Sequence, residues 1–218
     1  MLVRAEEKEP IARLLTFLTH GERLAQACAT AQAALVTDPR ERVFLLGQAR
    51  QEAMHAMVFQ TFIAWFAPRH RRSEPALPPL EEYRTRLLDA LSRKDLIESV
   101  LAEQVILEGL GEAILFRIEA GLAKRAAPFG RLRRVLLHQE EAHHGFGRRM
   151  LERAMAESRT NATALRSLAT DYRRLAYQMV LALSGLFESL DEDAAAWADD
   201  VQKFLPPWLS PESEGEGH

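Results

Sequence analysis

Only one cysteine, Cys28, occurs among the 218 residues, so no disulfide can close within the chain and a reducing compartment is expected. No run of 18 apolar residues is present, which removes any helical membrane span. The opening stretch Met1–Pro10 is charged rather than apolar, so a signal peptide is not expected and the cytoplasm is the expected location. Period-two alternation, the mark of a half-buried strand, is missing throughout. A formal charge of −3 gives no basic excess, which argues against nucleic acid as a partner. Two arginine clusters, Arg69–Arg72 and Arg131–Arg134, are expected to be solvated helix ends, with an anionic ligand as the alternative. Tyrosine is scarce, with three in all, and Tyr83, Tyr172 and Tyr177 fall outside the four longest apolar helical patterns.

Helical periodicity fills most of the chain. Residues 11–36 carry Ile11, Leu15, Leu18, Ala25, Ala29 and Val36 on one stripe, and Glu22 lies on it. Thr37-Asp38-Pro39 stops that helix and caps the next, over 40–67, with Leu45, Gln48, Glu52, His55, Phe59, Phe62 and Phe66 in line. A basic, proline-containing loop at 68–79 leads to a short crossover helix over 81–91. The third long helix, 93–123, aligns Leu101, Gln104, Glu108, Gly111, Leu115, Ile118 and Leu122. After a turn at 127–130, the fourth, 131–157, aligns Leu132, Leu136, His143, Phe146 and Met150. A fifth helix is expected over 162–189, with Tyr172 and Tyr177 as core residues, and a sixth from the acidic Asp191-Glu192-Asp193 to Phe204. The class is all-α. The expected organisation is a four-helix bundle over 1–157, C-terminal helices packed on it over 158–204, and an unstructured tail at 205–218.

Glu-x-x-His occurs twice on these apolar helices, as Glu52/His55 and within Leu136–Gly147, LLHQEEAHHGFG. Residues three apart share a helix face, so a carboxylate and an imidazole can reach one metal ion together. One copy is a weak signal; two, each preceded by a lone glutamate, are a strong one. Glu22 lies 30 residues before Glu52, and Glu108 lies 32 before Glu140. Equivalent positions of the two halves are 86 apart for the lone glutamates and 88 apart for both members of the pair. A duplicated antiparallel helix pair places such residues around a pseudo-twofold axis in the bundle centre. On a helical wheel, at about 100° per residue, His143 shares the arc of Leu132, Leu136 and Met150 with Glu140 at its edge. Glu140/His143 is therefore preferred to Glu141/His144, and Glu108 to its rival Glu112. The expected metal ligands are Glu22, Glu52, His55, Glu108, Glu140 and His143, with Glu52 and Glu140 bridging and central to catalysis. Four buried glutamates without compensation would cost several kcal/mol each, roughly, whereas two divalent cations would neutralise all four. Mixed carboxylate and imidazole ligation suits iron or manganese.

At these residues the sequence resembles the ferritin-like di-iron carboxylate superfamily, and within it the ribonucleotide-reductase small-subunit-like and aldehyde-deformylating-oxygenase-like branches. Gln139-Glu140-Glu141-Ala142-His143-His144-Gly145-Phe146-Gly147 is similar to the family's Asp-Glu-x-x-His-x-x-Phe-Gly, and Val105–Gly109 resembles the segment carrying its third-helix glutamate. The resemblance covers about residues 10–157 and concerns the metal cage, not the substrate. It implies a ferritin-like four-helix bundle with a crossover helix and additional C-terminal helices. Departures are informative. Gln139 replaces the aspartate that orients a ligand histidine, and Phe59 stands where radical-forming subunits carry tyrosine. Glu103 and Ala25 replace the Tyr–Val crosslink of the ligand-binding oxidase branch.

The resemblance and the six residues imply an oxygen-dependent dinuclear enzyme. Its cofactor would be two iron ions, or a manganese/iron pair, per chain. Its partners would be dioxygen, a small or lipid-like organic substrate, an unidentified electron donor and a second copy in a homodimer. A ferroxidase or iron-handling protein is the alternative, and a metal-stabilised helical binding module a third. A cavity beside the metals separates the first from the second.

Overall fold

The structure is a computed structural model that describes residues 4–70, 77–124, 129–188 and 192–209, without the side chains of 201 and 202. All regular structure among these residues is helical. Helices α1 (Lys8–Leu35) and α2 (Pro39–Phe66) form the first antiparallel pair. Asp38 ends one and begins the other: its carboxylate accepts the Arg40 N–H at 2.8 Å, and Pro39 occupies the first turn, where no hydrogen-bond donor is needed. Helix α3 (Pro78–Ser92) crosses to the second pair. It ends in a left-handed Lys94, after which Asp95 caps α4 (Leu96–Val100) by accepting the Glu98 N–H.

The third long helix is not uniform. Helix α4 passes without a break into a π-helical segment, Leu101–Leu107, and then into α5 (Glu108–Lys124). All seven residues of the π segment are buried. Helix α6 (Gly130–Ala156) returns antiparallel against it. The approach is so close that a Cβ on Gly147 would lie 2.4 Å from the Cβ of Gln104, so glycine is required there. Helix α7 (Ala162–Leu181) lies on α3 and the π segment. Tyr83 of α3 meets Tyr172 of α7 edge-on and donates its hydroxyl hydrogen bond to the Ala102 carbonyl inside the π segment. A break at 182–183 splits the expected fifth helix, giving α8 (Ser184–Glu188), and α9 (Ala194–Phe204) follows. Arg117 of α5 holds α9, bonding Asp200 at 2.6 Å and lying 5.3 Å from the centroid of the Trp197 ring.

Several expectations meet the surface instead of the core. Leu132 is 43% exposed: among the described residues no helix covers it in the first turns of α6. Tyr177 is 37% exposed, whereas Tyr172 is buried. Of the tail expected to be unstructured, 205–209 are described and include a short 3-10 turn, Pro207–Leu209, with Leu209 fully buried; 210–218 lie outside the described residues. Parts of the expected 68–79 loop (71–76), the 127–130 turn (127–128), the end of the expected fifth helix at 189 and the acidic cap (191) lie outside them too. No helix is long and apolar enough to cross a membrane among the described residues.

Candidate metal centre

Four helices bring the six expected residues together: Glu22 from α1, Glu52 and His55 from α2, Glu108 from α5, and Glu140 and His143 from α6. All six are buried. They fall into two overlapping groups, Glu22, Glu52, His55 and Glu140, and then Glu52, Glu108 and His143; within each, one donor atom per residue lies within 4.8 Å of the others. Glu52 belongs to both. Its Oε2 lies 3.1 Å from His55 Nδ1 and its Oε1 2.8 Å from His143 Nδ1. His55 Nδ1 also lies 2.9 Å from Glu140 Oε1 and 3.3 Å from Glu22 Oε2, and His143 Nδ1 lies 4.0 Å from Glu108 Oε2. The two imidazole centroids are 6.3 Å apart.

Each ring is held from behind by a glutamine. His55 Nε2–H donates to Gln139 Oε1 at 2.8 Å, and His143 Nε2–H donates to Gln51 Oε1 at 2.7 Å. Each glutamine immediately precedes the cluster glutamate of its own helix and reaches the histidine of the other. This fixes the tautomer: with Nε2 protonated, both Nδ1 lone pairs face the carboxylates. Acceptor then faces acceptor, and Glu52 Oε1 and Oε2, Glu140 Oε1 and His143 Nδ1 are buried without a hydrogen-bond donor. Such an arrangement is costly unless a cation lies between the groups. The donor set fits divalent metal, since four carboxylates with two neutral imidazoles balance two such ions.

The titration behaviour without metal reflects the same crowding. Burial, then the charge of Glu140, pushes Glu22 well above the usual carboxylate range; burial, then Glu52 and Glu140, does the same to Glu108. Burial would also raise Glu52, but His143 and His55, whenever a proton sits on the nitrogen facing it, outweigh burial and hold the group low. Burial alone would lower His55, yet Glu140, Glu22 and Glu52 together raise it. A proton on the His55 side and a metal ion therefore compete for one position.

The alternatives weighed from the sequence are separated by geometry. Glu141 is exposed and, among the described residues, is paired only with His138, at 3.7 Å. Glu112 accepts from His144 Nδ1 at 2.7 Å, so these two pair with each other beside the cluster. Two further features escaped the helical wheel. Gln51 was missed, although it stands 88 residues before Gln139, the same interval that relates the two Glu-x-x-His copies. Glu103 is fully buried beside Glu108 because π geometry pairs residues five apart, with the Glu108 N–H bonding the Glu103 carbonyl. Gln48 spans both carboxylates, donating at 2.8 Å to Glu108 and 3.3 Å to Glu103. Burial raises Glu103 to about 8, against the lowering effect of Glu108 and with a further upward push from Glu52.

On the outer side of the glutamines lies a groove of about 770 Å³ between α2 and α6. Phe44 and Gln51 form one wall, and Arg131, Arg134, Val135, His138, Gln139, Ala142 and His143 the other. Phe44 stacks on Phe146 at 4.2 Å and meets the His143 ring edge-on. Phe59 and Phe66, by contrast, are core residues away from the groove.

Fold and site together define the class: a ferritin-like helical bundle with a buried carboxylate–histidine cluster of metal-binding composition. No family model matches the sequence, and no curated protein does. Among solved structures the chain is similar to a Synechococcus protein described as protein 19 with aldehyde deformylating oxidase activity. The TM-score is 0.75 at 15% identity, covering 96% of this chain and 92% of that one. At that identity the likeness is one of fold.

Proposed function

We propose that the protein is a dinuclear iron, or manganese/iron, oxidoreductase that uses dioxygen and an external electron donor to oxidise a small or lipid-like organic molecule. The observation that carries this reading is the pair of buried donor groups sharing Glu52, with His143 at once a member of the cluster and a lining residue of the groove. Glu22, Glu52, His55, Glu108, Glu140 and His143 would hold the metals, Glu52 being the residue common to both donor groups. When bound, such a pair supplies the redox chemistry that turns dioxygen on a C–H bond or an aldehyde.

The chain's own contributions follow from its geometry. Gln51 and Gln139 keep both imidazoles in the metal-accepting tautomer. The groove seats an organic molecule against His143, and Phe44 limits water at that edge. Glu103, holding its proton to about pH 8, is a proton-bearing group joined to Glu108 through Gln48. The groove favours this reading over a ferroxidase, which needs no organic site. Structural likeness to a protein named for aldehyde deformylating oxidase activity agrees with it.

The test is anaerobic loading of purified protein with ferrous iron, metal analysis, then exposure to dioxygen and a reductant with a panel of aldehydes and alkanes. Two ions per chain and an oxidised organic product, both lost in His143→Ala, are expected. Iron oxidation with no organic product across the panel would favour the ferroxidase. Loss of fold without metal, and no turnover with it, would favour the metal-stabilised module.

A further inference from the structure

The groove has two unlike ends. Along α6 its wall is a single helix face, Arg131, Arg134, Val135, His138, Gln139, Ala142 and His143, so the cations stand at the start of the helix and the candidate metal ligand at the other end. At a rise of about 1.5 Å per residue, Arg134 and His143 are roughly 13 Å apart along the helix, and Arg131 and His143 roughly 18 Å. Between them the lining combines apolar Phe44, Val135 and Ala142 with polar Gln51, His138 and Gln139. Arg133, in the same cluster but off the groove, is engaged by Glu119. Arg131 and Arg134 have no hydrogen-bond or ion-pair partner among the described residues, and His138 meets only Glu141, at 3.7 Å.

Taking the oxidoreductase reading as given, the geometry points to a substrate that is an amphiphilic organic anion. Its charged head lies at Arg131 and Arg134, its aliphatic body along Phe44, Val135 and Ala142, and its uncharged reacting carbon at His143. Charge sets the direction. Two guanidiniums without a partner among the described residues stand at the outer end and attract an anion, while at the inner end the carboxylates and the metals they would hold balance one another. Distance sets the size. A bare inorganic anion at the arginines cannot reach the cluster, and a short molecule at the cluster cannot reach the arginines. The pair Arg131 and Arg134 is thus a specificity-determining element rather than a solvated helix end.

Binding tests this without turnover. Full-length protein is titrated calorimetrically with decanoate, hexanoate, decyltrimethylammonium and inorganic phosphate, and the metal content of each sample is measured. Decanoate should bind at least tenfold more tightly than hexanoate, phosphate or the ammonium, and its affinity should fall with salt. Arg131→Glu/Arg134→Glu should weaken decanoate at least tenfold and raise affinity for decyltrimethylammonium. Arg84→Glu/Arg149→Glu, an equal charge change elsewhere, should alter neither by more than about twofold. Equal binding of decanoate and the ammonium, or decanoate binding unchanged in the groove variant, overturns the inference while leaving a two-metal protein intact. Phosphate binding as tightly as decanoate would reduce the arginines to a simple anion site and overturn it too. Decanoate binding by a protein that takes up no metal would overturn the oxidoreductase reading and the substrate claim with it.

Discussion

The two halves of the cluster are built from the same parts and set in different surroundings. The His55 half gathers three carboxylates around one imidazole nitrogen, all at 3.3 Å or less. The His143 half has Glu52 at 2.8 Å and Glu108 only at 4.0 Å. Glu108 is drawn instead into a second polar layer, Gln48 and Glu103, which exists because the helix carrying it is π-wound just before it. The helix pair α1–α2 has no such segment. The looser half is also the one that faces the groove. The two matched halves thus crowd their donor atoms around one imidazole and space them more widely around the other, the one that lines the groove.

The largest expected effect breaks both halves at once. Glu52→Ala should reduce metal binding from two ions per chain to none, since each oxygen faces a different histidine. Glu22→Ala and Glu108→Ala should each remove one ion, and Glu22→Ala the more tightly held one. Metal analysis after equilibrium dialysis measures this, and equal retention in Glu52→Ala and Glu22→Ala would refute the shared-carboxylate geometry.

The π side is next. Glu103 has its folded pKa raised to about 8 from an ordinary 4.5, so folding favours its protonated form. Its contribution to stability is fully present below about pH 4.5 and is lost as pH rises through about 8. Over that window the metal-free protein should lose a few kcal/mol, roughly, at about 1.4 kcal/mol per pKa unit. Glu103→Gln should flatten this part of the profile and leave the variant more stable than the parent at pH 8. Denaturant unfolding at pH 5 and pH 8 decides it; identical slopes in the two proteins would mean that Glu103 is not the titrating group.

Much of this was legible because it rests on local period. Two Glu-x-x-His copies and two lone glutamates at matched spacing located the six residues, and Asp38-Pro39 fixed a helix junction that the structure places within one residue. The π segment was not legible. Nothing in Leu101–Leu107 demands an extra residue per turn; it is stabilised by contacts from afar, among them the Tyr83 hydroxyl on Ala102 and Gly147 against Gln104. A wheel drawn at a constant angle cannot align Glu103 with Glu108. Leu132 failed for the opposite reason. Its position on the stripe is regular, but period says which face is apolar, not whether a partner covers it.

Smaller effects sharpen the symmetry. Gln139→Leu leaves the His55 Nε2–H without its acceptor, and Gln51→Leu does the same to His143. Loss of such outer partners weakens metal affinity by about 10–100-fold. If the His55 half is the tighter one, Gln139→Leu should chiefly affect the stronger ion and Gln51→Leu the weaker, as competition with a chromophoric chelator would resolve. Both variants acting on one ion alone would mean that the halves are not separate positions.

The smallest effect belongs to Glu141, and its smallness is what makes it useful. It adjoins Glu140 in sequence and begins a competing Glu-x-x-His with His144, so composition and local charge do not distinguish the two carboxylates. Position does: one residue turns the side chain by about 100°, enough to carry it from the cluster to solvent. The side chain of Glu141 is 72% exposed and, among the described residues, is paired only with His138, itself 83% exposed. His144, its would-be companion, is committed to Glu112. Exposed pairs of this kind contribute little, and the charge is screened by water and salt. Glu141→Ala should therefore change the affinity for either metal by less than about twofold, while Glu140→Ala, which removes the carboxylate 2.9 Å from His55, should lose the ion on that side. The comparison needs only metal affinity and a thermal melt for each variant. Equal losses would require α6 to be rotated by nearly a third of a turn. Gln139 would then no longer reach His55, Gly147 would no longer face Gln104, and the correspondence between the two halves of the bundle would fail at every point from which the site was built.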